Sequence, residues 1–147
     1  MAPIVASIEI ARSPEDAFAY FDELDRHGEW QGQLVSARVE TDGPTRVGSR
    51  VVETRRAPGG KQTYTYEVTE HDPPRKSSFR VISGPVRAFG TVKVEPLGEG
   101  AGSRFTLELD FEGHGIGKLF APLARSSARK QVPKDQARLK ERLESGA

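Results

Sequence analysis

The chain contains no cysteine. Without thiols it can form neither a disulfide framework nor a thiolate metal site, and this composition fits a reducing compartment. Long apolar runs are absent as well, since no segment approaches the ~20 residues that a membrane-spanning helix needs. The opening MAPIVASIEIARS has neither the basic region nor the apolar core of a secretion signal. These absences predict a soluble, cytoplasmic protein.

A strong net charge is also missing, because 22 basic side chains nearly balance 21 acidic ones and leave a net charge of +1. The whole molecule therefore has no electrostatic preference for nucleic acid or for an anionic membrane. The chain also lacks a basic strand face with interleaved aromatic residues, which is typical of proteins that bind single-stranded nucleic acid. We expect no nucleic-acid partner.

The motifs of several enzyme classes are absent. There is no Gly-x-Ser-x-Gly elbow, no Walker loop and no Gly-x-Gly-x-x-Gly after a strand, which argues against hydrolases, nucleotidases and dinucleotide-binding enzymes. The three histidines, His27, His71 and His114, show no metal-ligand spacing. We expect neither a metal site nor a cofactor.

A two-residue alternation of apolar and polar side chains is the clearest pattern in the chain. Phe105, Leu107, Leu109 and Phe111 alternate with charged residues and threonine over residues 104–111. Such a strand has one buried face and belongs to an antiparallel sheet that something must cover. Six further strands are predicted at residues 4–10, 34–41, 50–56, 62–70, 77–83 and 86–95.

A helix start follows the first strand. Ser13 can cap a helix that begins at Pro14, with acidic residues in its first turn. We predict a helix from Pro14 to Leu24 and then a short second helix or turn that carries Trp30. A chain of 147 residues is near the commonest size for one domain, so we expect a single domain over residues 1–147 and a monomer.

The segment from Ile116 onward has apolar residues at helical spacing and predicts a long helix that covers the sheet. Pro122 is tolerable if the helix begins about there, whereas Pro133 should kink or split it near Val132. From Lys118 to Glu144 there are eight basic residues and three acidic ones. A basic amphipathic helix can contact an anionic membrane, but we favour a solvated outer face.

This order of elements resembles the helix-grip fold of the START-like, Bet v 1-like (SRPBCC) superfamily, and within it the polyketide cyclase/dehydrase and lipid-transport type. The likeness covers essentially the whole chain and is carried by residues 8–21, Trp30, residues 47–50 and residues 139–144. It implies an α+β fold in which a seven-stranded curved antiparallel sheet wraps around a long C-terminal helix. Two short helices should follow the first strand.

The resemblance also implies a cavity between sheet and helix that receives a small hydrophobic molecule. Alternation and helical spacing place a set of mostly apolar residues on its walls, although any one of them can instead be ordinary core. The predicted lining residues are Trp30, Tyr64, Tyr66, Phe79, Val81, Phe89, Phe105, Leu107, Leu109, Leu119, Leu123 and Ala124.

A few polar residues are candidates for chemistry inside such a cavity. Glu53, Arg55, Arg80 and Arg87 could reach inward as an acid, a base or an oxyanion partner. Because glutamate and arginine are seldom buried without partners, we expect most of them at the surface. His114 lies between two glycines, either beside the cavity mouth or, as we favour, in an exposed turn.

Three functions remain open at this point. The first is the binding of a small hydrophobic ligand such as a lipid, an isoprenoid or a polyketide, which needs only apolar volume and an entrance. The second is a polyketide cyclase/dehydratase, which also needs a well-placed acid or base, and the sequence shows no such catalytic arrangement. The third is an interaction domain whose cavity is filled by its own aromatic side chains. We favour the first.

Overall fold

The computed structural model describes residues 3–57 and 59–147. Every predicted strand is present, with ends that differ by a few residues, as strand and helix ends commonly do. In chain order the elements are β1 (Ile4–Ile10), α1 (Pro14–Phe21), a 3₁₀ helix (Leu24–Glu29), β2 (Leu34–Val39), β3 (Arg50–Ala57), β4 (Gly60–Asp72), β5 (Lys76–Val81), β6 (Val86–Leu97), β7 (Gly102–Gly113) and α2 (Gly117–Glu144).

The strands form one antiparallel sheet in the order β1-β7-β6-β5-β4-β3-β2. Strands β2 to β7 pair with their neighbours in sequence, and β1 adds to β7 with Ile8 opposite Phe105. The sheet curls into a half-barrel around α2. The predicted α+β helix-grip architecture is therefore confirmed.

The first helix begins where the capping residues predict it. The Ser13 hydroxyl accepts a hydrogen bond of 3.2 Å from the Asp16 amide, and Pro14 occupies the first turn. The helix is shorter than predicted, because it ends at Phe21 and the chain turns into the 3₁₀ helix at Leu24. Two short helices thus follow β1, as predicted.

The C-terminal half of α2 is packed firmly against the sheet. Leu139 and Leu143 are both 0% exposed and belong to one core cluster with Phe18 and Phe105. Each fully buried leucine contributes about 1.5–3 kcal/mol through removal of apolar surface from water. This half of the helix is the anchor that fixes α2 across the sheet.

The N-terminal half of α2 is packed much less closely. Leu119 is 73% exposed and Leu123 is 52% exposed, although both have the spacing of core residues. Gly117 and Ala121 are the buried residues in the same stretch. The helix therefore leaves open space between its first turns and the sheet.

The structure contradicts a split of this helix at Pro133 but does not test a bend there. The helix begins at Gly117, ahead of Pro122, and runs without a break through Pro133 to Glu144. Contacts on the far side of Pro133 hold the backbone in place, since Gln136 donates a 2.8 Å hydrogen bond to the Ala6 carbonyl. Tertiary packing thus offsets the lost amide donor, and a bend near Val132 stays a prediction.

Candidate ligand-binding site

A cavity of about 550 Å³ lies between the inner face of the sheet and α2. Small-molecule sites commonly have volumes of roughly 300–1,000 Å³ with mostly apolar walls and a few polar groups. The alternate residues of β7, from Phe105 to Phe111, form one wall, and Phe120, Leu123 and Ala124 of α2 form the opposite one. The cavity is therefore large enough for a small organic molecule.

The structure brings most of the predicted lining residues together on these walls. Those that line the cavity are Trp30, Tyr64, Tyr66, Phe79, Val81, Phe105, Leu107, Leu109, Leu123 and Ala124. Phe89 and Leu119 do not line it. Whether the others contact a ligand stays a prediction.

The predicted inward position of Phe89 is wrong. Along β6 it is Ala88 and Val92 that face the cavity, so the alternation of the strand turns Phe89 to the opposite face. There the Arg80 guanidinium carbon lies 5.8 Å from the centre of its ring. The strand contains apolar residues on both faces, and its pattern alone does not indicate which face is the inner one.

The predicted inward position of Leu119 is also wrong. Its side chain is exposed, whereas Phe120 and Leu123, one and four positions later, border the cavity. The helical spacing of apolar residues predicted a single buried face. At the start of α2 the apolar face of the helix is wider than the part of it that packs against the sheet, so Leu119 faces outward.

A polar group lies on the cavity wall where β3 and β4 meet. Glu53 and Tyr64 are opposite each other in the strand pairing, and the Tyr64 hydroxyl donates a 2.8 Å hydrogen bond to the Glu53 carboxylate. The Arg55 guanidinium donates through Nε to the Tyr64 oxygen at 2.9 Å and through Nη2 to Glu53 at 3.4 Å. Arg55 Nη2 also donates to the side-chain oxygen of Gln31. All four side chains, Glu53, Tyr64, Arg55 and Gln31, line the cavity, and we call this group the polar wall.

Burial and charge define the protonation states in this group. Burial raises the pKa of the Tyr64 hydroxyl, and the neighbouring Glu53 carboxylate raises it further, so Tyr64 is a neutral donor. Burial opposes the charge of Arg55, but its contacts with Tyr64 and Glu53 raise its pKa above the ordinary value. Arg55 is therefore cationic. The wall presents a cation and a 4% exposed glutamate side by side.

Helix α2 adds a second polar group to the cavity. Asp135 is 8% exposed, and its Oδ1 accepts hydrogen bonds from the Gly32 amide at 3.0 Å and from Gln131 Nε2 at 2.8 Å. Asp135, Gln131 and Gln136 all line the cavity. These contacts tie α2 to the segment that follows the 3₁₀ helix.

His27 lies in an aromatic cluster on the cavity wall. Its ring stacks on Phe21 with the ring centres 5.3 Å apart, and the ring centre of Trp30 lies 5.1 Å away. Nε2 donates a 2.6 Å hydrogen bond to the Phe21 carbonyl. Burial lowers the pKa of His27 below its usual 6.5, so the imidazole is neutral at physiological pH.

Two cavity-lining aromatic residues have polar atoms without partners. Within the described residues, the Trp30 indole nitrogen and the Tyr66 hydroxyl are buried and make no hydrogen bond. A buried donor left without an acceptor costs about 1–3 kcal/mol. Both side chains belong to the cavity wall, where a ligand with acceptor atoms would lower that cost.

The remaining polar candidates lie elsewhere. Arg80, Arg87 and His114 border a separate, smaller pocket together with Phe89. His71 contacts Asp22 at 2.9 Å and does not line the cavity. Among residues 3–57 and 59–147, no three histidine or carboxylate side chains are grouped in a way that could hold a metal ion.

Sequence patterns favoured a surface position for most of the polar residues that the cavity contains. Glu53 and Arg55 share the inward face of β3 with the fully buried Val51. The two-residue spacing from Val51 is the signal that could have predicted their inward position. Asp135 and Gln136 lie between Val132 and Leu139 at the spacing of the buried helix face.

No helix in the described part of the chain is long and apolar enough to cross a membrane.

Comparison with known proteins gives a family match along almost the entire chain. The profile of the family described as "Polyketide cyclase / dehydrase and lipid transport" matches residues 1–144. An uncharacterized protein of Mycobacterium tuberculosis is 30% identical over 130 residues, which cover 88% of this chain and 87% of that protein.

Solved structures share the fold at low sequence identity. A START superfamily protein from Mycobacterium smegmatis has a TM-score of 0.77 at 14% identity, covering 97% of this chain and 99% of that one. An aromatase/cyclase from a Streptomyces species has a TM-score of 0.73 at 14% identity, covering 92% of this chain and 87% of that one. At these identities the likeness concerns the fold alone.

Proposed function

Since the chain belongs to the polyketide cyclase/dehydrase and lipid-transport family, we propose that it binds a small hydrophobic molecule between the sheet and α2. The observation that carries this proposal is the cavity of about 550 Å³ with predominantly apolar walls. Burial of apolar ligand surface supplies the driving force, and a few polar groups orient the molecule.

The polar wall suggests the chemistry of the ligand. Arg55 offers a fixed cation, and the Glu53 carboxylate has a second oxygen that accepts no hydrogen bond from the described residues. A ligand carbonyl can accept from Arg55 while a hydroxyl donates to Glu53. The ligand that fits is an apolar molecule with oxygen functions at one end, as in oxygenated isoprenoids and polyketides.

The open volume argues against an interaction domain with a filled cavity. Trp30 and Phe105 do meet, with their ring centres 6.4 Å apart, as that alternative requires. They meet within the core cluster that also contains Phe18 and Leu139, however, and the space between β7 and the start of α2 is left open. A filled cavity would leave no such volume.

Trp30 provides a direct assay of binding. It is the only tryptophan in the chain and it lines the cavity, so its fluorescence reports on that site alone. Titration with a hydrophobic, oxygenated compound should change the emission in a saturable way. We expect the variant Ala124→Phe, which fills the cavity from α2, to bind at least about tenfold more weakly.

The matched control lies on the same helix. Ala137 is exposed, so Ala137→Phe adds the same side chain outside the cavity and should leave the affinity unchanged. Equal affinities for Ala124→Phe and the unaltered protein would contradict binding in this cavity.

A second candidate function is a cyclase or dehydratase, and the buried Glu53 is the observation that favours it. A carboxylate on the cavity wall can remove a proton from the carbon between two ligand carbonyls, while Arg55 stabilises the enolate oxygen that results. The enolate carbon can then attack a further carbonyl of the same chain, and the new alkoxide takes up a proton. Loss of water would follow.

The test of this candidate is a search for turnover. Incubation with a poly-β-ketone thioester should yield a cyclised product that mass spectrometry detects as the loss of water. Glu53→Gln should abolish that product while retaining ligand binding. Equal product formation by the variant would exclude Glu53 as the base.

A further inference from the structure

The start of α2 carries an exposed apolar patch. Ile116, Leu119, Phe120 and Leu123 are 64%, 73%, 47% and 52% exposed. Their spacing of three, one and three residues places them on one side of the helix. Single exposed apolar side chains need no explanation, but a contiguous group of four large ones marks an interaction surface.

The apolar patch borders the opening of the cavity. Ile116, Phe120 and Leu123 also line the cavity, and the exposed Gly84 and Pro85 of the β5–β6 turn line it on the other side. Whatever covers the patch therefore also covers the route by which a ligand enters. A partner that itself holds apolar molecules would fit this position.

The segment around the patch is basic throughout. No acidic residue occurs between Glu112 and Asp135, whereas Lys118, Arg125, Arg129, Lys130 and Lys134 lie in that interval. Arg125 is paired with Asp110, with Nη2 2.9 Å from Oδ1. In the described part of the chain, the other four form no ion pair with a carboxylate. The patch thus combines exposed apolar groups with uncompensated positive charge.

We propose that this first half of α2 docks on an anionic lipid bilayer, with the apolar patch inserted among the acyl chains and the basic residues at the headgroups. Amphipathic helices with basic residues near an apolar face bind the membrane interface in this manner. Each lysine or arginine near an anionic leaflet adds to the attraction. The cavity would then open toward the membrane.

Charge argues for lipid over a second copy of the chain. A symmetric contact through the patch would bring the basic segments of two copies together, and like charges across an interface oppose association. An anionic bilayer supplies both the apolar and the negatively charged component.

The test is flotation with vesicles of phosphatidylglycerol and phosphatidylcholine, compared with phosphatidylcholine alone. We expect the unaltered protein to float with the anionic vesicles and to be released by high salt. Leu119→Glu should weaken this binding at least about tenfold, and Lys130→Glu should weaken it severalfold. Leu119 does not line the cavity, so its replacement should leave Trp30 titrations unchanged.

Matched controls lie on the edge strand β2. Val35→Glu and Arg38→Glu likewise replace one exposed apolar and one exposed basic residue by glutamate, but away from the patch, and should retain vesicle binding. Failure to float, or equal flotation of Leu119→Glu, would overturn the proposal. So would a dimer in sedimentation equilibrium that Leu119→Glu dissociates, because the patch would then be a self-association surface. Vesicle binding is measured without a cavity ligand, so its failure leaves the proposed function standing.

Discussion

Tyr64 and Glu53 face each other across β4 and β3, and the Tyr64 hydroxyl donates a 2.8 Å hydrogen bond to the Glu53 carboxylate inside the cavity. The strand pairing holds both side chains on the same face, eleven residues apart in sequence. Arg55 donates to the Tyr64 oxygen, so the tyrosine links the anion and the cation of the wall. This relationship connects the stability of the fold with the chemistry of the site.

The first prediction concerns that link. Tyr64→Phe keeps the ring but removes the hydroxyl that donates to Glu53 and accepts from Arg55 Nε, and we expect the free energy of unfolding to fall by about 1–3 kcal/mol. Urea denaturation checks this. Tyr66→Phe is the matched control, because the Tyr66 hydroxyl has no partner within the described residues and its removal should be neutral or stabilising. Equal losses for the two variants would contradict the account of the polar wall.

The second prediction concerns pH. Burial lowers the pKa of His27 in the folded state below the 6.5 of an ordinary histidine. The unfolded chain therefore binds this proton more readily, and the free energy of unfolding should decrease as the pH falls below about 6.5, by at most about 1.4 kcal/mol per pH unit. The pKa of Glu29 is lowered to about 2, so this carboxylate affects the free energy of unfolding only in more acidic solution.

Thermal or urea unfolding between about pH 5 and 7 tests the assignment to His27. His27→Phe keeps an aromatic ring in the cluster with Phe21 and Trp30 and should remove this part of the pH dependence. His114→Gln, at an exposed site, should retain it. A pH dependence that survives in His27→Phe would show that another group is responsible.

The third prediction separates the two faces of the sheet. Phe79→Ala removes a ring from the cavity wall and should change the affinity for a hydrophobic probe at least severalfold. Phe89→Ala removes the same group from the opposite face and should leave the affinity unaltered. Fluorescence titration of both variants gives the comparison. A larger effect at Phe89 would mean that β6 has the opposite orientation.

The fourth prediction concerns the join between α2 and the β5–β6 turn. Gly117 lies so close to this turn that an added Cβ would be 1.9 Å from the Pro85 carbonyl oxygen. Gly117→Ala must therefore displace the start of the helix, and we expect a loss of about 1–3 kcal/mol in the free energy of unfolding.

The control for Gly117 is a glycine with room around it. A Cβ at Gly28 would meet nothing within 4 Å, so Gly28→Ala should be nearly neutral. If Gly117→Ala proves as harmless as Gly28→Ala, the close approach of the helix to the turn is not a constraint.

The sheet could be predicted from the sequence because apolar and polar side chains alternate along most of its strands. Phe105, Leu107 and Leu109 follow the two-residue period, and each lies on the cavity wall. The inner face of β6 was harder to predict, because Phe89 is apolar but faces outward. Gly90, next to it, has no side chain that could indicate the inner face. Only the pairing with β5 and β7 fixes its orientation.

The contact of Glu53 with Tyr64 could not be predicted, because strand register, and not spacing along one strand, brings these two residues together. Nothing in the separate strands indicates that Glu53 lies opposite Tyr64, and a charged residue in a strand is more often exposed. The exposure of Leu119 has a different cause. Helical periodicity identifies an apolar face but does not show how far the sheet extends beneath it.

The central claim is that the cavity binds a small hydrophobic molecule, and a two-dimensional amide NMR titration tests it most directly. The panel would hold a fatty acid, an isoprenoid quinone, a flavonoid and an aromatic polyketide. We predict saturable shifts for the Trp30 indole and for Tyr64, Phe105 and Leu123, with little change at Phe89. No saturable shift with any compound, or shifts confined to the outer face around Arg80 and Phe89, would contradict the claim.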